Sequence, residues 1–81
     1  MISAYLFINL STEKNDDSIL SALSDIPEVV ESYMVYGTYD VVILIRAKST
    51  NDLKQVTVNS VRKLGFVHST MTLISLDSFE K

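Results

Sequence analysis

The strongest constraint on the fold is the aliphatic segment Val41 to Ile45, which directly follows the turn sequence Tyr36-Gly37-Thr38-Tyr39-Asp40. Gly37 can adopt a positive φ, so these residues predict a tight hairpin between two strands. Strands of a half-exposed sheet alternate apolar and polar residues, whereas Val41 to Ile45 is apolar on both faces. Helices from a chain of 81 residues can cover one face of a sheet but rarely both. The segment therefore predicts that another molecule covers the second face.

Hydrophobic periodicity predicts the element order β-α-β-β-α-β in a single domain, residues 1–81. The predicted elements are strand 2–10, a helix ended by Pro27, strands 29–36 and 39–47, a helix from Ser49 to about residue 63 that Gly65 ends, and strand 66–76. Alternation predicts that the inward face of the first strand carries Ile2, Ala4, Leu6, Ile8 and Leu10. Helical spacing predicts that the inward face of the second helix carries Leu53, Val56, Ser60 or Val61, and Leu64. With right-handed crossovers this order predicts a ferredoxin-like α+β fold, in which two helices cover one face of a four-stranded antiparallel sheet.

A domain of this size buries only roughly 60% of its unfolded surface and is marginally stable alone. The chain has no cysteine and one histidine, which excludes disulfides and argues against a metal site. Oligomerisation is the remaining source of stability, and the open sheet face is the predicted dimer interface. The side chains predicted for that interface are Tyr5, Phe7, Met34 and Met71.

An aromatic sheet can also stack RNA bases, but such platforms carry lysine and arginine beside the aromatic residues. The neighbouring positions here are Ser3, Asn9, Ser32 and Thr70, which favours a protein interface. The net charge of −3 and the scattered basic residues argue against direct DNA binding. No apolar run is long enough to span a membrane and no phosphate-binding glycine loop is present, so we expect a cytoplasmic protein without a cofactor.

Several motifs resemble, in their order and spacing, the C-terminal (RAM) domain of Lrp/AsnC-type transcription regulators. The motifs are Pro27-Glu28-Val29-Val30-Glu31, Tyr36-Gly37-Thr38-Tyr39-Asp40 with the aliphatic strand after it, Leu64-Gly65-Phe66-Val67, and Ser69-Thr70-Met71-Thr72-Leu73-Ile74. The resemblance extends from Ala4 to about Leu76. It implies an amino-acid effector-binding and oligomerisation module, in a form without the helix-turn-helix domain.

The resemblance also implies where an effector binds, namely where two dimers meet. The residues it assigns to effector binding are Gly37, Thr38, Tyr39, Asp40, Thr70 and Thr72. Backbone N–H groups of the hairpin would hold a carboxylate, Asp40 an ammonium, and the threonine hydroxyls would orient the ligand. Many family members carry threonine where this chain has Tyr36, whose bulk is expected to narrow the pocket. In the purely structural alternative, Gly37 supplies a turn dihedral and Asp40 caps the turn.

Two classes of function remain open at this point. The first is a regulatory module that assembles as a dimer, or as a tetramer or octamer of dimers. Such a module would either sense an amino acid by itself or assemble together with a full-length Lrp/AsnC regulator. The second is a small dimeric α+β-barrel enzyme, monooxygenase-like or isomerase-like, that uses His68 as a general base with Asp40 as its acid partner. An enzyme requires His68 in a pocket within each protomer, whereas a sensor requires a pocket at the hairpin.

Overall fold

The computed structural model describes residues 1–11 and 17–76. Its strands are Ile2–Leu10 (β1), Val29–Met34 (β2), Val41–Ala47 (β3) and Val67–Ile74 (β4). Its α-helices are Asp17–Ser24 (α1) and Thr50–Val56 (α2), and α2 continues as a π-helical turn, Thr57–Val61, and a 3-10 turn, Arg62–Leu64. None of the helices in this part of the chain is long and apolar enough to cross a membrane.

The four strands form one antiparallel sheet in the order β2-β3-β1-β4. The central strands are therefore β1 and β3, and β2 and β4 form the edges. Leu6 pairs with Ile43 on one side and with Thr72 on the other, which defines the register across three strands. The ferredoxin-like fold predicted from the element order is confirmed.

One side of the sheet packs against both helices and forms the hydrophobic core. The buried sheet residues are Ala4, Leu6, Ile8, Val41, Ile43, Ile45 and Ala47, and the buried residues outside the sheet are Ile19, Leu23, Ile26, Leu53, Val56 and Val61. In β1, every second residue from Ala4 to Ile8 is buried, which confirms the inward face predicted for this strand. Both described helices belong to this core, so no helix of the described residues lies over the opposite side, which we call the open face.

The second helix differs from the uniform α-helix expected to reach residue 63. Its start is as predicted, because the Ser49 hydroxyl accepts a hydrogen bond from the backbone N–H of Asp52 at 3.2 Å. The π-helical turn then adds one residue, which places Val61 rather than Ser60 in the core. Gly65, at φ 78°, ends the segment in the left-handed conformation, as expected for a glycine after a helix.

The β2–β3 connection is wider than the predicted tight turn. The strands end at Met34 and resume at Val41, and the Val35 N–H donates to the Asp40 carbonyl at 2.9 Å to close the loop. Four residues, Tyr36 to Tyr39, form its tip. Gly37 has φ 149°, a conformation that favours glycine. Strands β2 and β3 are shorter than predicted because Tyr36 and Tyr39, at the tip, do not pair across the hairpin.

A bulge in β2 reverses the side on which its last residues lie. The pairing with β3 shifts between Val29 and Glu31, after which Tyr33 pairs with Val42 and Met34 with Val41. Cross-strand partners share a face, and Val41 is fully buried on the helix side. The prediction that Met34 lies on the open face is therefore wrong. The extra residue in the bulge shifts the alternation by one and places Tyr33 there instead.

Candidate functional site

The open face is a continuous apolar surface across all four strands. Phe7 pairs with Val42 on β3 and Met71 on β4, and Tyr5 pairs in the same way with Leu44 and Leu73. Two tyrosines complete the surface, Tyr33 from β2 and Tyr39 from the hairpin. Tyr5 is 46% exposed and Leu73 is 49% exposed, and an apolar patch without a covering helix is typical of an interaction surface.

Polar side chains lie around this apolar surface. At one end, the Asn9 amide donates to the Ser69 hydroxyl at 3.2 Å, and at the other end Arg46 pairs with Ser3. On the edge strand β2, the negative charge of Glu31 and its hydrogen bond to Tyr33 raise the pKa of the Tyr33 phenol above its ordinary value. An apolar centre with a polar rim is the usual composition of a protein interface.

The Tyr39 side chain connects the hairpin to the open face. Its ring meets Phe7 edge to face, with ring centroids 5.4 Å apart and an interplanar angle of 79°. Its hydroxyl donates to the Met71 sulfur at 3.5 Å, so the ring reaches over β1 to β4. Edge-to-face aromatic contacts and sulfur contacts are both favourable, and together they hold this tyrosine in one position.

A cavity of about 350 Å³, which we call the hairpin cavity, lies between the hairpin and the open face. Its walls are Phe7, Val35, Tyr36, Gly37, Thr38, Tyr39 and Val42. Three of the predicted effector residues, Gly37, Thr38 and Tyr39, are therefore brought together here. The Tyr36 side chain is fully exposed, so it borders the cavity without filling it.

Asp40 joins the hairpin to the end of β1. Its Oδ2 accepts a hydrogen bond from the Leu10 N–H at 2.9 Å, and its own N–H donates to the Ile8 carbonyl at 3.0 Å. Leu10 follows the irregularity in the β1–β4 pairing, where a backbone N–H is left for a side chain to satisfy. Oδ1 accepts no hydrogen bond from the residues described, and Asp40 is not part of the cavity wall.

Thr70 and Thr72 lie on the other side of the sheet. They pair with Ile8 and Leu6, both fully buried against the helices, whereas Met71 between them is on the open face. Thr72 lines a separate cavity of about 240 Å³, which we call the α2 cavity. Its other walls are Thr50, Leu53, Lys54, Thr57, Val58 and Ile74. One protomer therefore does not bring the two threonines together with the hairpin.

His68, the centre of the enzyme hypothesis, is an exposed residue of edge strand β4. Val67 pairs with Leu10 and Ser69 with Asn9, so His68 lies where the pairing is irregular. It is absent from the walls of the hairpin cavity, the α2 cavity and a third cavity of about 500 Å³ between the α1–β2 turn and α2. Within the described ranges, no cluster of three or more histidine, cysteine or acidic residues could hold a metal.

In the edge strands β2 and β4, sequence reasoning missed two apolar residues of the open face. Leu73 could have been found, because it lies two residues after Met71 in the same strand. Tyr33 could not, because the bulge that reverses β2 has no sequence signal in this chain. The predicted face was otherwise correct for Tyr5, Phe7 and Met71.

The family model of the Lrp/AsnC ligand binding domain matches residues 3–81. The chain belongs to this family. It is 30% identical over 77 residues to the regulatory protein AsnC of Escherichia coli K12. The aligned segment covers 95% of this chain and 51% of AsnC. A segment of the homocitrate synthase of Sulfurisphaera tokodaii is 29% identical over 75 residues, 93% of this chain and 16% of that protein. The chain spans about half the length of the AsnC proteins it matches.

Several solved structures share the fold. TTHA0845 from Thermus thermophilus superposes with a TM-score of 0.89 at 30% identity, with both chains covered completely. E. coli AsnC gives 0.88 at 30% identity over 95% of this chain and 52% of AsnC. A feast or famine regulatory protein of Mycobacterium tuberculosis, complexed with L-methionine, superposes with a TM-score of 0.83 at 26% identity. The superposition covers 100% of this chain and 54% of that protein. The resemblance to the RAM domain is confirmed, and the chain is a ligand-binding domain of a transcription-regulator family.

Proposed function

We propose that the chain binds an amino acid at its hairpin and assembles through its open face, as a regulatory module without catalytic activity. The observation that carries the proposal is the hairpin cavity, with Gly37, Thr38 and Tyr39 in its wall. The L-methionine complex of the M. tuberculosis relative supports an amino acid as the ligand class. The names of the AsnC relatives support a role in transcription regulation.

The hairpin offers groups for both charges of an amino acid. The backbone N–H groups of residues 36–39 donate no hydrogen bond to any other described residue, so they are available to a carboxylate. The Oδ1 of Asp40, which accepts no hydrogen bond from the residues that the structure describes, is an acceptor for the ammonium. Thr70 and Thr72 would contribute from a neighbouring copy, because their own sheet separates them from the hairpin cavity.

The proposed assembly is a dimer in which two open faces cover each other. A second copy supplies an identical apolar face, which is the self-complementary surface that a twofold dimer requires. It would also cover Val42 and Leu44, which are the apolar residues of β3 that no helix contacts. Tetramers or octamers of these dimers, and mixed assemblies with a full-length Lrp/AsnC regulator, would then form through the hairpins.

A thermal-shift screen with the twenty amino acids tests effector binding. A ligand that binds only the native state at 100 times its Kd stabilises it by about 2.7 kcal/mol, so at least one amino acid is expected to raise the Tm. Asp40→Asn should fold normally, because an amide oxygen can still accept from the Leu10 N–H, but it should lose the shift.

Asp25→Asn is the matched control, because it removes the same charge from an exposed residue after α1. It should keep the wild-type shift. If no amino acid raises the Tm, the effector function is wrong. If the shift survives Asp40→Asn unchanged, the ammonium does not bind at Asp40.

The 81-residue chain is not expected to bind duplex DNA specifically by itself. Protein–DNA affinity derives largely from neutralised phosphates, and this chain has a net charge of −3 with its basic residues dispersed. An electrophoretic mobility-shift assay at physiological salt with the purified chain should give no sequence-specific complex. A specific, salt-resistant complex would contradict this expectation.

The enzyme hypothesis has little support from the geometry. His68 lies outside the three cavities, and the Asp40 carboxylate that was to pair with it accepts from the Leu10 N–H instead. The homocitrate synthase match covers only 16% of that enzyme, so it indicates a shared module rather than a shared reaction.

A further inference from the structure

We infer that the Tyr36 ring of one copy inserts into the α2 cavity of a neighbouring copy and thereby joins dimers into a larger assembly. The contact would connect the proposed open-face dimers, so it rests on that proposed function and names the side chain and the pocket that link one dimer to the next. The exposure of Tyr36, the size and chemistry of the α2 cavity, and the places of both in the fold support it.

Tyr36 is an aromatic side chain that its own protomer leaves entirely in water. It is at the tip of the β2–β3 hairpin and fully exposed, and its hydroxyl has no hydrogen-bond partner among the described residues. The other tip tyrosine, Tyr39, differs because its ring packs against Phe7. A tyrosine that enters a pocket on another molecule removes a large apolar ring from water, and tyrosine is one of the usual anchors of protein interfaces.

The α2 cavity has the size of a pocket for a single side chain. Its volume of about 240 Å³ is below the roughly 300 Å³ at which small-molecule sites begin. Leu53, Val58 and Ile74 supply the apolar part of its wall. Val58 is 47% exposed and Ile74 is 42% exposed, so the cavity leaves apolar surface of α2 and β4 in contact with water. An inserted ring would cover this surface.

The polar atoms in the wall of the α2 cavity match a phenol. The hydroxyls of Thr50 and Thr72 and the ammonium of Lys54 make no hydrogen bond or ion pair with any described residue. A threonine hydroxyl can donate to or accept from the phenol oxygen, and a lysine ammonium is attracted to the face of a tyrosine ring. The side chain of Leu76, which is 97% exposed, would bury the same polar groups without giving them a partner.

The Tyr36 ring is far from the α2 cavity of its own protomer. The hairpin joins β2 to β3, whereas the strand wall of the cavity is in β4, and β1 lies between β3 and β4. Thr72 in that wall is on the helix side of the sheet, whereas Tyr36 borders the hairpin cavity at the open face. Another copy must therefore supply the ring. Because the contact joins two different surfaces, dimers linked by it close into a ring or extend as a filament.

Light scattering after size exclusion tests this contact on the full chain without added amino acid. The wild type is expected to be larger than a dimer, and Tyr36→Ser is expected to have the mass of a dimer. Thr72→Phe fills the cavity with a ring of its own protomer, so this variant should also stop at the dimer. A mixture of the two variants should again exceed the mass of a dimer, because one variant retains the cavity and the other retains Tyr36. Circular dichroism checks that each variant is folded.

Leu76→Ser is the matched control, because it removes a large exposed apolar side chain from outside the hairpin, and it should keep the wild-type mass. Tyr36→Ser with the wild-type mass, a mixture that stays dimeric, or a dimeric wild type would overturn the inference while the open-face dimer stands. A loss of mass in Leu76→Ser and not in Tyr36→Ser would also overturn it, because Leu76 would then be the inserted side chain. A monomeric wild type would contradict both the inference and the proposed dimer.

Discussion

Replacement of both Tyr5 and Phe7 by serine is expected to convert the assembled protein into a monomer that retains its helix-side core. The two side chains are on the open face, paired with Leu44 and Val42, whereas the core residues of the same strand point to the helices. Four aromatic side chains would be lost per dimer. Tyr5 is 46% exposed and Phe7 is less exposed, so at about 0.5–1 kcal/mol for each side chain the dimer would lose roughly 2–4 kcal/mol, or about thirtyfold to a thousandfold in Kd.

Light scattering after size exclusion measures the mass, and circular dichroism checks that the variant is folded. Met34→Ser removes a partly exposed apolar side chain, 37% accessible, from the helix side of β2, and it should leave the mass unchanged. A wild-type protein that is a stable monomer would contradict the proposed assembly. A double variant with the wild-type mass would show that copies associate through a different surface.

Substitution of Gly37 by valine is expected to destabilise the protein by about 1–3 kcal/mol through backbone strain. The φ of 149° lies in a region that β-branched residues avoid, and no atom lies within 4 Å of the position a Cβ would occupy. The cost therefore comes from the backbone and not from a steric clash with a neighbour. The same strain would displace the backbone N–H groups proposed to hold the effector carboxylate.

The neighbouring substitution, Thr38→Val, is the control for this effect. Valine and threonine have the same shape, and Gly37 and Gly65 are the residues with positive φ among those described. Thr38→Val should therefore change the free energy of unfolding by less than about 0.5 kcal/mol. Urea denaturation at a single protein concentration compares the variants, because the stability of an oligomer depends on concentration. Equal stabilities of the two variants would refute the strain argument.

The sequence determined the order of the elements and the inward face of the central strand. The alternation in β1 identified Ala4, Leu6 and Ile8 as core residues, because a strand places successive side chains on opposite faces. Ser49 and Gly65 marked the two ends of the second helical segment through their capping chemistry. These features depend on interactions between residues that are close in the chain, so a local pattern is sufficient to predict them.

The composition of the candidate site was also partly predictable. Gly37, Thr38 and Tyr39 were assigned to it from the hairpin motif, and all three line the hairpin cavity. Their grouping with Thr70 and Thr72 was not supported within one protomer, because strand alternation places both threonines on the face opposite Met71. The sequence contained this signal, since Met71 was itself predicted on the open face.

Other features were decided only by the tertiary structure. The bulge in β2 exchanged Met34 for Tyr33 on the open face. Of Ser60 and Val61, between which the helical spacing left the inward position open, the π-helical turn places Val61 in the core. Each irregularity inserts one residue into a regular repeat. The insertion has a small cost in local free energy, which better packing elsewhere offsets. The position of Tyr39 over Phe7 and Met71 likewise depends on three segments far apart in the chain. The local pattern thus sets which elements form, whereas packing between distant segments sets which side chains reach the site.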